Sequence, residues 1–89
     1  GISKQELSCY GFIEVENAAQ AGAIESLLIT DTLIKKSREE NNYQKIDQIM
    51  KQVDASKGSI TIISSEHDGG KKLDGLGGIG GLLRYKLNY

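Results

Sequence analysis

Few residues in this chain could do covalent chemistry. There is one histidine, His67, and one cysteine, Cys9. They stand far apart in the sequence, and no third residue beside either marks an orienting partner of the kind nucleophilic catalysis needs. His67 reads instead as a surface or capping residue in the first turn of a helix. A single Cys and a single His also make a structural metal site an unsuitable reading. The carboxylates Glu14 and Glu16, and Glu39 and Glu40, lie on stretches that read as exposed, where they act as solubilising charges.

The glycine run Gly75-Leu76-Gly77-Gly78-Ile79-Gly80-Gly81 invites comparison with a phosphate-binding loop. It has no Lys-Ser or Lys-Thr ending, and it precedes a strand instead of opening a helix. A phosphate cradle needs backbone N–H groups aimed from a helix N-terminus. The run is better explained by conformation. Gly77 and Gly78 permit a tight turn, and Gly80 and Gly81 let a strand lie close to a packed helix.

The elements that would position these residues can be read from periodicity. Residues 1–9 read as a leader, with the domain over 10–89 and the chain as an excised piece of a longer protein. Tyr10 to Ala21 reads as a helix stopped by Gly22. Ile24 to Ile29 reads as a buried strand. Thr30 or Asp31 can cap a short helix through Lys36, followed by a polar loop over Ser37–Asn42. Tyr43, Ile46, Met50 and Val53 fall on one face of an amphipathic helix ending at Lys57-Gly58. Ser59 to Ser64 reads as a second buried strand through Ile60, Ile62 and Ile63. Ser65-Glu66-His67-Asp68 fits a capping box opening a glycine-weakened helix to about Leu73. A turn over Gly75–Gly78 and a last strand over Ile79–Leu87 complete the chain. Helices alternating with short apolar strands predict an α/β fold, a three-layer α/β/α sandwich.

Composition bounds the function. The chain has 89 residues, enough for one domain and too few for a deep cleft lined from several sides. Eleven basic and twelve acidic side chains leave a net charge of −1, without the basic excess of a general nucleic-acid binder. The local patches Lys35, Lys36 and Arg38, and Lys71 and Lys72, read as solvated helix faces. With one cysteine there is no internal disulfide, and no run approaches a membrane span. An intracellular, cytoplasmic monomer with no cofactor in this domain is the expectation.

Three ordered blocks carry a resemblance. The first is Tyr10-Gly11, Glu14-Val15, Ala18-Ala19 and Ala21-Gly22-Ala23. The second is Ile24-Glu25-Ser26-Leu27-Leu28-Ile29-Thr30-Asp31. The third runs from Ile63-Ser64-Ser65-Glu66-His67-Asp68-Gly69-Gly70-Lys71-Lys72-Leu73 into Leu76-Gly77-Gly78-Ile79 and Leu82-Leu83-Arg84-Tyr85. Together they resemble the C-terminal domain shared by Pelota and the class 1 peptide-chain release factor of archaea and eukaryotes. Thr30 to Tyr43 is too short for the minidomain inserted in the release factor. The wording Ser64-Ser65-Glu66-His67 is also closer to archaeal Pelota, whereas Gly80-Gly81 leans toward the release factor.

The resemblance implies a fold similar to the kink-turn-binding ribosomal proteins, but their RNA-reading loop has no counterpart here. It implies a ribosome-rescue and mRNA-surveillance role. The partners would be the ribosome, a translational GTPase similar to elongation factor 1 alpha, and an ATP-binding-cassette recycling factor. Any endonuclease activity, and any divalent metal, would belong to the rest of a full-length family member. This domain is therefore expected to be a docking module and not an enzyme. Candidate contacts are Asp31, Thr32 and Leu33 at a helix start, and Glu66 and His67 in a loop. A release-factor domain, or an RNA-binding module similar to ribosomal proteins, is the alternative.

Overall fold

The computed structural model describes residues 7–84. Four strands and four helices follow one another as β1 (Ser8–Tyr10), α1 (Phe12–Gln20), β2 (Ile24–Thr30), α2 (Asp31–Glu39), α3 (Tyr43–Ala55), β3 (Ser59–Ile63), α4 (Asp68–Gly75) and β4 (Ile79–Leu83). The strands form one sheet in the order β1-β4-β2-β3. β2 and β3 are parallel, and β4 runs antiparallel to both of its neighbours, β1 and β2. The pair α2–α3 supplies the crossover that a parallel pairing requires.

Adjacent glycines of β4 show how the layers stack, because neighbouring strand residues face opposite sides. A Cβ on Gly81 would meet Cys9 and Ile24, on the side packed by α1 and α3. A Cβ on Gly80 would meet the Tyr10 ring and Leu73 of α4, on the other side. The α/β/α layering expected from the alternation is present; Gly80 serves the close approach to a helix expected of it, whereas Gly81 makes room for Cys9 and Ile24 of the neighbouring strands. The core lies on the first side. Val15 and Ala18 of α1, Leu27 and Ile29 of β2, and Ile46, Ile49 and Val53 of α3 are all buried there.

Local signals set most boundaries. Gly22, at φ 68°, ends α1: its N–H and that of Ala23 reach back to the carbonyls of Ala19 and Ala18. α3 closes in the same way, but Lys57, not Gly58, takes the left-handed position at φ 66°. Gly58 is needed because a Cβ there would press on the Ile24 carbonyl and Val53. Gly77 (φ 110°) and Gly78 (φ 80°) make the turn after α4.

Four expectations are corrected. Ser8 and Cys9, read as leader, and Tyr10, read as the start of a helix, pair with Leu82, Gly81 and Gly80, so the sheet begins before residue 10 and α1 starts only at Phe12. Residues 1–6 lie outside the described residues. α2 continues to Glu39 and is stopped by Asn41 in the left-handed region at φ 60°, so the first half of the polar stretch over Ser37–Asn42 is helix and not loop. β3 is not buried: as an edge strand it leaves Ile60 38% and Ile62 50% exposed. The last strand ends at Leu83, and its expected continuation over residues 85–87 lies outside the described residues.

The fourth correction concerns the capping box. His67 is the N-cap of α4 and the helix starts at Asp68, two residues later than a Ser65 cap would give. Ser65 does not cap the helix because its amide N–H donates to Asp31 and its hydroxyl accepts from Thr32. Gly70 fixes the fit, since a Cβ there would collide with the Ser64 carbonyl.

Candidate functional site

The residues of greatest interest sit at the carboxyl ends of the two parallel strands. β2 ends at Thr30 and passes directly into α2, and β3 ends at Ile63 and passes into the segment leading to α4. In α/β sheets, such strand ends are where loops and helix starts meet and bind ligands or partners.

Three consecutive residues, Thr30, Asp31 and Thr32, organise this end. Thr30 is wholly buried and caps α2: its Oγ1 accepts the Leu33 N–H at 3.1 Å. The same hydroxyl donates to the Asp74 carboxylate in the last turn of α4 at 2.7 Å. The Thr30 amide donates to the Gly78 carbonyl just beyond that helix. Asp31 Oδ1 accepts two amides, those of Thr32 at 2.8 Å and of Ser65 at 2.9 Å. The Thr32 hydroxyl donates to Ser65 Oγ at 2.7 Å. One turn of α2 therefore holds both ends of α4, the entry through Ser65 and the exit through Asp74 and Gly78.

α4 depends on this support. Its eight residues include Gly69, Gly70 and Gly75, and glycine is among the poorest helix formers. The His67 side chain makes no cap bond, and Leu73 is the buried apolar side chain the helix contributes. Within the entry segment, Ser64 Oγ accepts the Glu66 N–H and the Ser64 carbonyl accepts the His67 N–H, a tight local turn. Glu66 and His67 stand exposed on it.

The expected contact residues are thus brought together from two places. Asp31 and Thr32 touch Ser65 directly, which puts Glu66 and His67 beside the start of α2. Leu33 differs from the other four. It is only partly exposed, packs against the core and lies over Gly78, so it shapes the surface and does not project from it. A groove of about 310 Å³, lined by Thr32, Leu33, Lys36, Asp74, Gly77 and Gly78, runs beside the clamp. Thr30, Ser65 and Asp74 were not expected at this site. Ser65 carried a signal that reads equally well as a cap, and nothing local to Asp74 marks a bond to Thr30.

The charge state of the clamp follows from its geometry. The Ser65 amide, then the Ser65 hydroxyl and the Thr32 amide, hold the Asp31 carboxyl below its usual range. Asp31 therefore stays ionised wherever the site would operate. Cys9, in the core behind the sheet, has its thiol pushed up chiefly by burial, with Glu14 adding to it, so it remains a protonated packing group. Among the described residues, no group of three or more His, Cys, Asp or Glu is placed to hold a metal ion.

Comparison with known proteins fits this architecture. The family profile of eRF1 domain 3 matches residues 1–87. The chain belongs to the eRF1 domain 3 family. Within that family it is similar to archaeal Pelota. It is 42% identical over 86 residues to the protein pelota homolog of Pyrococcus horikoshii, covering 97% of this chain and 23% of that protein. It is 47% identical over 81 residues to the homolog of Thermococcus onnurineus, covering 91% and 22%.

Among solved structures, Archaeoglobus fulgidus Pelota superposes with a TM-score of 0.84 at 38% identity, covering all of this chain and 27% of that one. Dom34 of S. cerevisiae, a translation termination-like factor, matches at a TM-score of 0.84 and 34% identity, covering 92% and 23%. The archaeal termination factor aRF1 shares the fold, with a TM-score of 0.67 at 20% identity. The chain spans under a quarter of the length of the curated relatives it matches.

Proposed function

We propose that this domain is the protein-docking part of a Pelota-like ribosome rescue and mRNA surveillance factor. Its partner would be a GTPase similar to elongation factor 1 alpha, met at the start of α2 and the segment before α4. The observation that carries this reading is the joining of two segments, 31–33 and 65–67, into one surface by the Asp31–Ser65 and Thr32–Ser65 hydrogen bonds. A helix start and a loop fixed side by side on a rigid scaffold are well suited to recognition, because less ordering is needed when the partner arrives.

The relatives support the assignment. Dom34 of S. cerevisiae is involved in RNA quality control pathways and interacts with Hbs1. Archaeal Pelota has been described ribosome-bound together with ABCE1. By this reading a recycling ATPase is the second partner, the setting is the ribosome in the cytoplasm, and the domain performs no chemistry of its own. No described helix is long and apolar enough to cross a membrane.

The test is a double substitution, Glu66→Ala with His67→Ala, in the whole polypeptide that carries this domain. Both side chains are exposed, so the melting temperature should stay put. Affinity for the GTPase, measured by calorimetry, should fall by about tenfold or more. Unaltered affinity would contradict the proposed surface.

A further inference from the structure

Asp31 is exposed at the surface, yet one oxygen of its carboxylate is already engaged by the domain itself. Oδ1 accepts the Thr32 amide of its own helix and the Ser65 amide across the gap between α2 and the α4 entry segment. Two amides satisfy that oxygen and fix the carboxylate across the gap. The same bonds keep the group ionised. The second tie across that gap, from the Thr32 hydroxyl to Ser65 Oγ, is a bond between two exposed hydroxyl side chains. Such a neutral bond is weaker than one to a carboxylate. The glycine-rich start of α4 adds little stiffness of its own, with Gly69 and Gly70 in its first turn and no side-chain cap.

We infer that Asp31 is a positioning residue and not a partner contact: its carboxylate ties Ser65 to the first turn of α2 and so presents Thr32, Glu66 and His67 as one surface. This rests on the docking surface proposed above. Without the tie, the segment 64–67 keeps its own internal turn but loses its fixed place beside α2. The partner would then have to order it on binding, at a cost in affinity.

Asp31→Ala and Asp31→Asn, made in the whole polypeptide, separate this role from a charge contact. Asn keeps the acceptor oxygen and drops the charge. Two readouts are taken on each: hydrogen exchange at the Ser65 and Glu66 amides, and the dissociation constant for the elongation-factor-1-alpha-like GTPase. D31A should speed exchange at Ser65 by about tenfold and weaken binding by about five- to tenfold. D31N keeps the acceptor but makes both bonds neutral, so it should fall between the parent and D31A in both readouts. If D31N weakens binding as much as D31A, Asp31 is a charge contact and the inference is overturned. Unchanged Ser65 exchange in D31A overturns it as well, and so does faster exchange with intact binding. If Glu66→Ala with His67→Ala leaves binding intact, the docking surface itself falls and the role of Asp31 with it, even where exchange still reports the tie.

Discussion

The two faces of the sheet are held by different forces. The face under α1 and α3 is apolar and closed except at the β3 edge, where Ile60 and Ile62 stay exposed: Val15, Ala18, Leu27, Ile29, Ile46 and Val53 are buried to 1% exposure or less. Its stability comes from area removed from water and from close packing. The face under α4 is half open. Tyr10, Leu76 and Leu82 are 40%, 49% and 43% exposed, and a single glycine-rich helix covers part of it. That helix is fastened by hydrogen bonds from Thr30, Asp31 and Thr32. The first face keeps the domain folded; the second displays a segment. A substitution on one should therefore change global stability, and on the other local order.

The largest effect is expected in the closed face. Leu27→Ala removes a wholly buried side chain between α1 and α3 and should cost about 2–5 kcal/mol in denaturant unfolding. A cost below about 1 kcal/mol would mean that the core can collapse around the gap.

Two adjacent glycines of α4 sharpen the contrast. A Cβ on Gly70 meets the Ser64 backbone, whereas a Cβ on Gly69 meets nothing within 4 Å. Gly70→Ala should destabilise by about 1–3 kcal/mol through overpacking. Gly69→Ala should be neutral or stabilising by up to about 1 kcal/mol, because alanine favours the helix. Equal effects in thermal unfolding would show that the α4 entry is not seated on Ser64 as described.

Thr30→Ala removes both the cap of α2 and the bond to Asp74. A loss of about 1–2 kcal/mol is expected, with faster amide exchange in the last turn of α4. If only α2 responds, the Thr30–Asp74 bond does not hold α4.

The smallest effect is a titration. A carboxylate whose folded pKa is depressed stabilises above its unfolded value and loses that contribution as pH falls through the folded one. For Asp31, the Ser65 amide resonance should titrate with a midpoint below the ordinary carboxylate value of 3.8. Movement centred near pH 5 would mean that the carboxylate is not held by those amides.

Much of this was legible in the residues. Tyr43, Ile46, Met50 and Val53 mark α3 because burial follows the 3.6-residue repeat, and Gly22, Gly77 and Gly78 take the backbone angles that only glycine adopts freely. The family resemblance read from the three blocks agrees with the match over residues 1–87. What escaped depends on tertiary placement. Ile60 and Ile62 have the composition of a buried strand, but whether a strand is central or at the edge is decided by pairing partners far away in the chain. Three residues are too few for β1 to show alternation, so Ser8 and Cys9 passed as leader. The clamp joins 31 to 65 and 30 to 74, and no local periodicity encodes such bonds. Ser65 followed by an acidic residue at the cap spacing satisfies a local rule that the Asp31 carboxylate overrides.

The central claim is that segments 31–33 and 65–67 act as one surface toward the GTPase. Amide chemical-shift mapping of the labelled polypeptide during titration with the GTPase tests it most directly. Thr32, Leu33, Ser65, Glu66 and His67 should shift together with a single midpoint. Shifts confined to Ile60 and Ile62 on the β3 edge, or to Tyr10 and Leu82 on the open face, would contradict it.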